Sequence, residues 1–261
     1  MNYHGTEVRQ RALTLLRGGA RNADVARALN IPAGTIGHWK HIDRAKRGEC
    51  PAAHGPTCPR CHGSPLDESA YGYLLGLYLG DGCINKLRSG TYVLRVTCAN
   101  AWPGLIDACA EAVQTIRPDN KVFRAQRPGC QNVTCYSNHW PCLFPQHGPG
   151  KKHDRKITLA PWQQEIVDAH PWEFVRGLIH SDGCRITNWT TRLVGGERKR
   201  YEYPRYFFTN KSDCIRQLYT DTLDTLGIPW THCTRHGNPY NISVARKAAV
   251  ALMDAHVGPK H

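Results

Sequence analysis

Two aspartates occupy the same place in a repeated nine-residue block. Leu74-Leu75-Gly76-Leu77-Tyr78-Leu79-Gly80-Asp81-Gly82 returns as Val175-Arg176-Gly177-Leu178-Ile179-His180-Ser181-Asp182-Gly183. Each block reads as a helix that delivers its carboxylate, Asp81 or Asp182, at the C-terminal end. There the charge meets the negative end of the helix dipole, and two such groups side by side repel. A purely structural role gives no reason for this arrangement, whereas divalent cations do. Hard carboxylate oxygens suit Mg²⁺, which keeps several waters and binds phosphate oxygens. Metals between the aspartates can activate water and stabilise the leaving oxygen of a phosphodiester displacement. One Asp-Gly alone would read as an ordinary helix-ending turn; its recurrence in a duplicated unit argues against that.

The elements that must position these groups follow from their neighbours. Gly72, Gly76 and Gly80 fall every fourth residue and leave a bare stripe along one helix face. Glycine inside a helix costs about 1 kcal/mol relative to alanine, so close approach of a second helix is the expected compensation. Gly177 and Ser181 supply its small residues. Ser64-Pro65-Leu66-Asp67 and His170-Pro171-Trp172-Glu173 each place Pro at a helix N1 position and an acid at N3. After each Asp-Gly come two β-rich stretches, 83–87 with 92–98 and 184–189 with 203–209. An amphipathic helix follows, 104–116 or 213–226, and then a second hairpin, 121–127 with 132–137 or 230–235 with 241–245. The expected class is α+β, a pseudo-two-fold duplicated αββαββα unit, helix–hairpin–helix–hairpin–helix twice over.

Ahead of the repeats, Val8, Ala12, Leu13 and Leu16 form one helical stripe ending at Gly18-Gly19. Asn22 is placed to cap a second helix carrying Val25, Ala26 and Leu29. Asn30-Ile31-Pro32 makes a turn, and 33–40 gives a third helix with Ile36 and Trp39 inward. Three helices around a tight turn resemble a helix-turn-helix module, which puts Thr35, His38 and Lys40 at the major groove or its phosphates. A three-helix protein-contact domain is the alternative. Between module and repeats, Cys58-Pro59-Arg60-Cys61 is a CxxC knuckle able to hold one tetrahedral Zn²⁺. Cys50 and either His54 or His62 could complete four ligands; the alternative is a linker with free thiols. The expected boundaries are 1–41, 42–65 (basic linker with the knuckle), 66–163 and 164–261.

With 261 residues and a formal charge of +13, the chain calls for a polyanionic partner. No run of 18 apolar residues exists, which excludes a helical membrane span. Met-Asn-Tyr-His-Gly lacks the apolar region of a secretory signal. Twelve cysteines in a chain of this size read as reduced thiols with perhaps one metal site. The expected location is therefore cytoplasmic, in association with DNA.

The two nonapeptides and the repeat order resemble the LAGLIDADG homing endonuclease family in its single-chain, two-repeat form. The resemblance covers about 66–258. Leu79 and His180 stand where that family often has Asp, a tolerant position, while Gly80 and Ser181 keep the small side chain and both acids are intact. The resemblance implies a LAGLIDADG saddle of two antiparallel sheets straddling a long specific site in double-stranded DNA, a monomer, and two or three Mg²⁺ ions. Asp81 and Asp182 would share those ions, with the backbone carbonyls of Gly80 and Ser181. Arg88, Arg95, Arg124, Arg127, Arg192, Arg205 and Arg235 punctuate the β-rich segments, and Arg binds guanine in bidentate fashion. By position, Asn210 and Lys211 follow the first hairpin of repeat two and Lys247 the second; Asn210 is expected among the DNA contacts. Lys211 and Lys247 are the candidates for stabilising transition-state charge. The basic run 151–156, with Lys151, Lys152 and Lys156, is expected to grip the DNA backbone. The implied function is a Mg²⁺-dependent, site-specific double-strand endonuclease using metal-activated water. A transcription regulator that keeps the saddle without cleaving is the alternative, and splicing assistance on RNA would use the same basic surface.

Overall fold

The computed structural model describes residues 5–47, 58–235 and 237–261. The chain divides into two units, Met1–Pro56 and Thr57–His261. In the smaller one, α1 (Thr6–Arg17), α2 (Asn22–Leu29) and α3 (Ala33–Lys46) enclose Ala12, Leu13, Leu16, Val25, Ile31, Ile36 and Trp39. Asn22 is the first residue of α2 and not its cap; Arg21 precedes the helix and pairs with Asp24 at 2.8 Å. Asn30 turns the chain with φ +52°, a left-handed conformation that asparagine tolerates. The third helix runs on past Lys40 to Lys46. Asp43 on this extension takes the guanidinium of Arg17, which ties it to α1, and that of Arg47 four residues on; together they hold its carboxyl below the usual range, Arg17 contributing most.

In the larger unit a single-turn helix, α4 (Pro59–His62), comes first. The first repeat then runs α5 (Glu68–Asp81), β1 (Gly82–Lys86), β2 (Tyr92–Ala99), α6 (Pro103–Ile116), β3 (Val122–Arg127), β4 (Cys130–Tyr136), α7 (Trp140–Leu143) and α8 (Pro161–Ala169). The second runs α9 (Pro171–Asp182), β5 (Gly183–Val194), β6 (Glu197–Thr209), α10 (Asp213–Thr225), β7 (Thr231–Arg235), β8 (Asn238–Val244) and α11 (Lys247–His256). The two antiparallel sheets share one topology, β1-β2-β4-β3 and β5-β6-β8-β7, so the duplication seen in sequence is a duplication of fold. No helix among the described residues is long and apolar enough to cross a membrane.

Two sequence expectations are corrected here. Pro171 opens α9 as anticipated, but α5 begins at Glu68 and leaves Pro65 outside, because the Asp67 carboxylate accepts the Ala70 N–H at 2.8 Å and sets the helix start there. The first hairpin of repeat two is also much longer than the 184–189 and 203–209 segments. It pairs continuously from Gly183 with Phe208 out to Val194 with Glu197, turning at Gly195-Gly196, both at positive φ.

Residues Tyr71 to Leu79 of α5 are buried on every side, which makes this the central helix of the unit. One face lies on α9, and a Cβ placed on Gly76 would sit 2.5 Å from the Phe174 carbonyl oxygen and 2.7 Å from the Leu178 nitrogen. Only glycine permits that approach. The remaining faces meet α6, β1 and β2, so one continuous core runs through both repeats. Each sheet turns one face to this core and leaves the other open.

Candidate active site

Both aspartates close their helices, Asp81 ending α5 and Asp182 ending α9. Because the glycine stripe lets the two axes meet, their C-terminal ends converge: a Cβ on Gly80 would lie 3.1 Å from Asp182 Oδ2. Asp182 is half-buried and accepts the Asn210 side-chain N–H at 2.6 Å. Burial, followed by the charge of Asp81, pushes its carboxyl up to about 6. Asp81 opens to solvent on one side, yet the protein crowded around it raises its carboxyl too, against the pull of Lys260 and Lys152.

Those two lysines are the cations whose charge acts on both aspartates, and neither was singled out for that role by the sequence. Lys152 Nζ donates to the carbonyls of Gly80 and Gly82, each at 2.8 Å, and to that of Tyr78. Lys260 Nζ donates to the carbonyl of Ser181 at 2.8 Å. Each ammonium therefore satisfies a carbonyl orphaned at a helix end, and the two sit at equivalent points of the repeats. Burial lowers the pKa of both, that of Lys152 to about 8. A cleft of about 660 Å³ borders the site, its lining including Gly80, Cys83, Asn85, Lys151, Lys152 and Asn210.

No family model and no curated protein sequence matches this chain. Solved structures do. The homing endonuclease I-DmoI in complex with DNA and Mn is 15% identical, with 74% of this chain and 98% of that one aligned at a TM-score of 0.48. I-WcaI bound to its DNA recognition sequence is 12% identical over 74% and 82% of the two chains, TM-score 0.45. The N-terminal LAGLIDADG domain of DUF199/WhiA is 11% identical over 73% and 83%, TM-score 0.44. The structural neighbours are LAGLIDADG proteins.

The remaining expected site residues fall into distinct places. Lys211 and Lys247 stand exposed, just before α10 and at the first position of α11, while the electrostatic influence on the aspartates comes from Lys152 and Lys260. Lys152 departs from its expected part as a DNA grip because its ammonium is turned inward onto backbone carbonyls; Lys151 and Lys156 remain exposed. The carbonyls of Gly80 and Ser181, expected to face metal, each accept an ammonium.

Strand register separates the arginines. Arg95 lies opposite Thr134 and Arg127 opposite Cys130, on the open face of the first sheet. Arg124 lies opposite the buried Val133, which turns it to the helix side, where it pairs with Asp107 of α6 at 2.5 Å. Its expected place on a DNA-reading surface is thus corrected. Arg192 and Arg205 share the open face of the second sheet; Arg205 stacks between the rings of Tyr203 and Phe207. Arg88 is exposed beside the β1–β2 turn, and Arg235 ends β7. In the smaller unit His38 is exposed, and Thr35 and Lys40 are half-buried on α3. Cys58 and Cys61 lie together, with His139 and Cys142 beside them. Cys50 and His54 lie outside the described residues. His62 is not in that group: its Nδ1 faces the Cys58 N–H at 3.3 Å.

Proposed function

We propose that this chain is a Mg²⁺-dependent, site-specific double-strand DNA endonuclease of the LAGLIDADG kind, monomeric, acting where α5 and α9 end. One observation carries the reading: two carboxylates, both raised in proton affinity, are brought together at the converging C-terminal ends of two helices. The donor set fits a hard divalent cation: burial, and after it the charge of Asp81, raises the Asp182 carboxyl to about 6 against the pull of Asn210, Lys152 and Lys260, and a cation held there would offset both causes. Asp81 and Asp182 would hold the Mg²⁺ ions, with the Gly80 and Ser181 carbonyls as neighbours, and bound Mg²⁺ would supply water activation and charge neutralisation at the scissile phosphate. Asn210 orients the Asp182 carboxylate through its hydrogen bond. Lys152 and Lys260, held on helix-end carbonyls, place positive charge where a phosphate would arrive. The open sheet faces, with Arg95, Arg127, Arg192 and Arg205, would lie along the duplex, and the net charge of +13 supports a polyanionic partner. The three-helix unit, with Thr35, His38 and Lys40, would read DNA as a helix-turn-helix module ahead of repeats over 66–163 and 164–261.

A second reading, a DNA-binding regulator without cleavage, is favoured by one feature. The ammonium groups of Lys152 and Lys260 already cap the carbonyls that a metal would approach. Incubating the protein with a randomised duplex library in Mg²⁺ and in Ca²⁺, then sequencing cut ends and bound fragments, separates the two. Cut ends in Mg²⁺ that disappear in Asp81→Asn and Asp182→Asn, with duplex binding retained, support the endonuclease. Specific bound fragments without cut ends support the regulator.

A further inference from the structure

We propose that Cys58, Cys61, His139 and Cys142 form a structural Zn²⁺ site that clips the entry of the larger unit to the end of its first sheet. One ligand atom from each residue lies within 4.8 Å of all the others. The Cys61 and Cys142 sulfurs are 3.2 Å apart, and the Cys142 sulfur is 3.9 Å from His139 Nδ1. A tetrahedral ion bonded to sulfur at about 2.3 Å and to nitrogen at about 2.0–2.1 Å separates its ligands by about 3.5–3.8 Å. Small side-chain adjustments bring the present cluster to that geometry.

The local sequence is built for it twice. Cys58-Pro59-Arg60-Cys61 and His139-Trp140-Pro141-Cys142 each set two ligands three residues apart across a single helical turn, α4 and α7, with Pro near the start of each. Turns this short do not hold themselves, because nucleating one helical turn is unfavourable. Here they pack against one another, and a shared ion supplies what four-residue helices lack. Cys58 is fully buried, and His62 stays beside the cluster as a neighbour, its ring 5.3 Å edge-on from that of His139. In repeat two the stretch after β8 is Ala245-Arg246-Lys247, with no Cys or His pair. The clip is thus an addition to repeat one, at the N-terminal edge of the larger unit. Four protein ligands fill the tetrahedron, leaving no open position for chemistry.

The rival state of these thiols is a Cys61–Cys142 disulfide, which would leave Cys58 and His139 without a role. The test uses the full chain purified under reducing conditions with zinc supplied. Elemental analysis after gel filtration should find one zinc per chain, and Co²⁺ exchange should give the intense bands of tetrahedral thiolate-rich cobalt. Cys142→Ser and His139→Ala should each lose the metal, while Cys50→Ser, His54→Ala and Asp182→Asn retain it. The last makes this outcome independent of the nuclease reading. Should the ligand variants fail to fold, chelation of the wild-type protein should expose the three ligand thiols to a thiol reagent and lower its melting temperature. Substoichiometric zinc without the cobalt bands, a Cys61–Cys142 disulfide persisting in reductant, or zinc lost from Cys50→Ser would each overturn the proposal.

Discussion

Replacing Asp182 by asparagine should make the metal-free protein more stable while abolishing its proposed activity. Burial and the neighbouring Asp81 raise the Asp182 carboxyl from 3.8 to about 6. At about 1.4 kcal/mol for each tenfold change in proton affinity, the ionised form at pH 7 carries a penalty of about 3 kcal/mol. An amide of the same shape removes the charge and still offers an oxygen to the Asn210 N–H. For a domain of this size, about 3 kcal/mol corresponds to a rise in Tm of about 6–12 °C. The sign fixes the pH dependence. A carboxyl of raised pKa contributes stability that is complete below its ordinary 3.8 and lost as pH climbs through about 6. The advantage of Asp182→Asn should therefore be full at pH 7 and vanish near pH 4. Thermal unfolding in chelator at both pH values measures it, and adding Mg²⁺ should raise the Tm of the wild type more than that of the variant. A variant that melts no higher than wild type at pH 7, or a gap that persists at pH 4, would refute the claim that the fold holds the ionised Asp182 against burial and the charge of Asp81.

Gly76→Ala should destabilise by about 1–3 kcal/mol through overpacking, since its Cβ meets backbone of α9 at 2.5 Å, whereas Gly72→Ala, with ordinary contacts at 3.7 Å, should gain up to about 1 kcal/mol of helix propensity; denaturant melts of the pair read this. Arg95→Ala and Arg127→Ala should each weaken DNA binding, and the log–log salt slope should fall by about one for each phosphate no longer neutralised. Arg124→Ala, whose guanidinium is engaged by Asp107, should leave both unchanged in the same binding titrations. Lys152→Met removes positive charge beside both aspartates and a donor from three carbonyls. It should move the acid limb of any cleavage profile to higher pH, because the carboxylates then lose protons less readily; pH–rate measurements with cut duplex as the readout check the direction.

The sequence by itself carried the duplication, the glycine stripe and the two helix-ending acids. Each of these is a local spacing rule that survives whatever the rest of the chain does. It carried the strand lengths less well. The hairpin from Gly183 to Thr209 extends beyond its sequence signal because its outer half, rich in Arg, Lys and Glu, pairs with itself in solvent without a buried face. Arg124 looked like any other arginine in a β-rich stretch, and only its register against Val133 assigns it to the helix side.

The pairing of charges lay entirely in the tertiary structure. Lys152 and Lys260 are more than a hundred positions apart, yet each ends on the carbonyl just before an aspartate, because the packing of α5 on α9 draws both chain segments to one point. The Cys and His group repeats that lesson. Cys58-x-x-Cys61 is visible in the sequence, but its partners His139 and Cys142 sit a whole sheet away, and no spacing rule links them. Local chemistry determines which residues can act; closure of the fold determines which of them meet, since contacts across long stretches of chain are set by the burial of the core between them and leave no periodic trace.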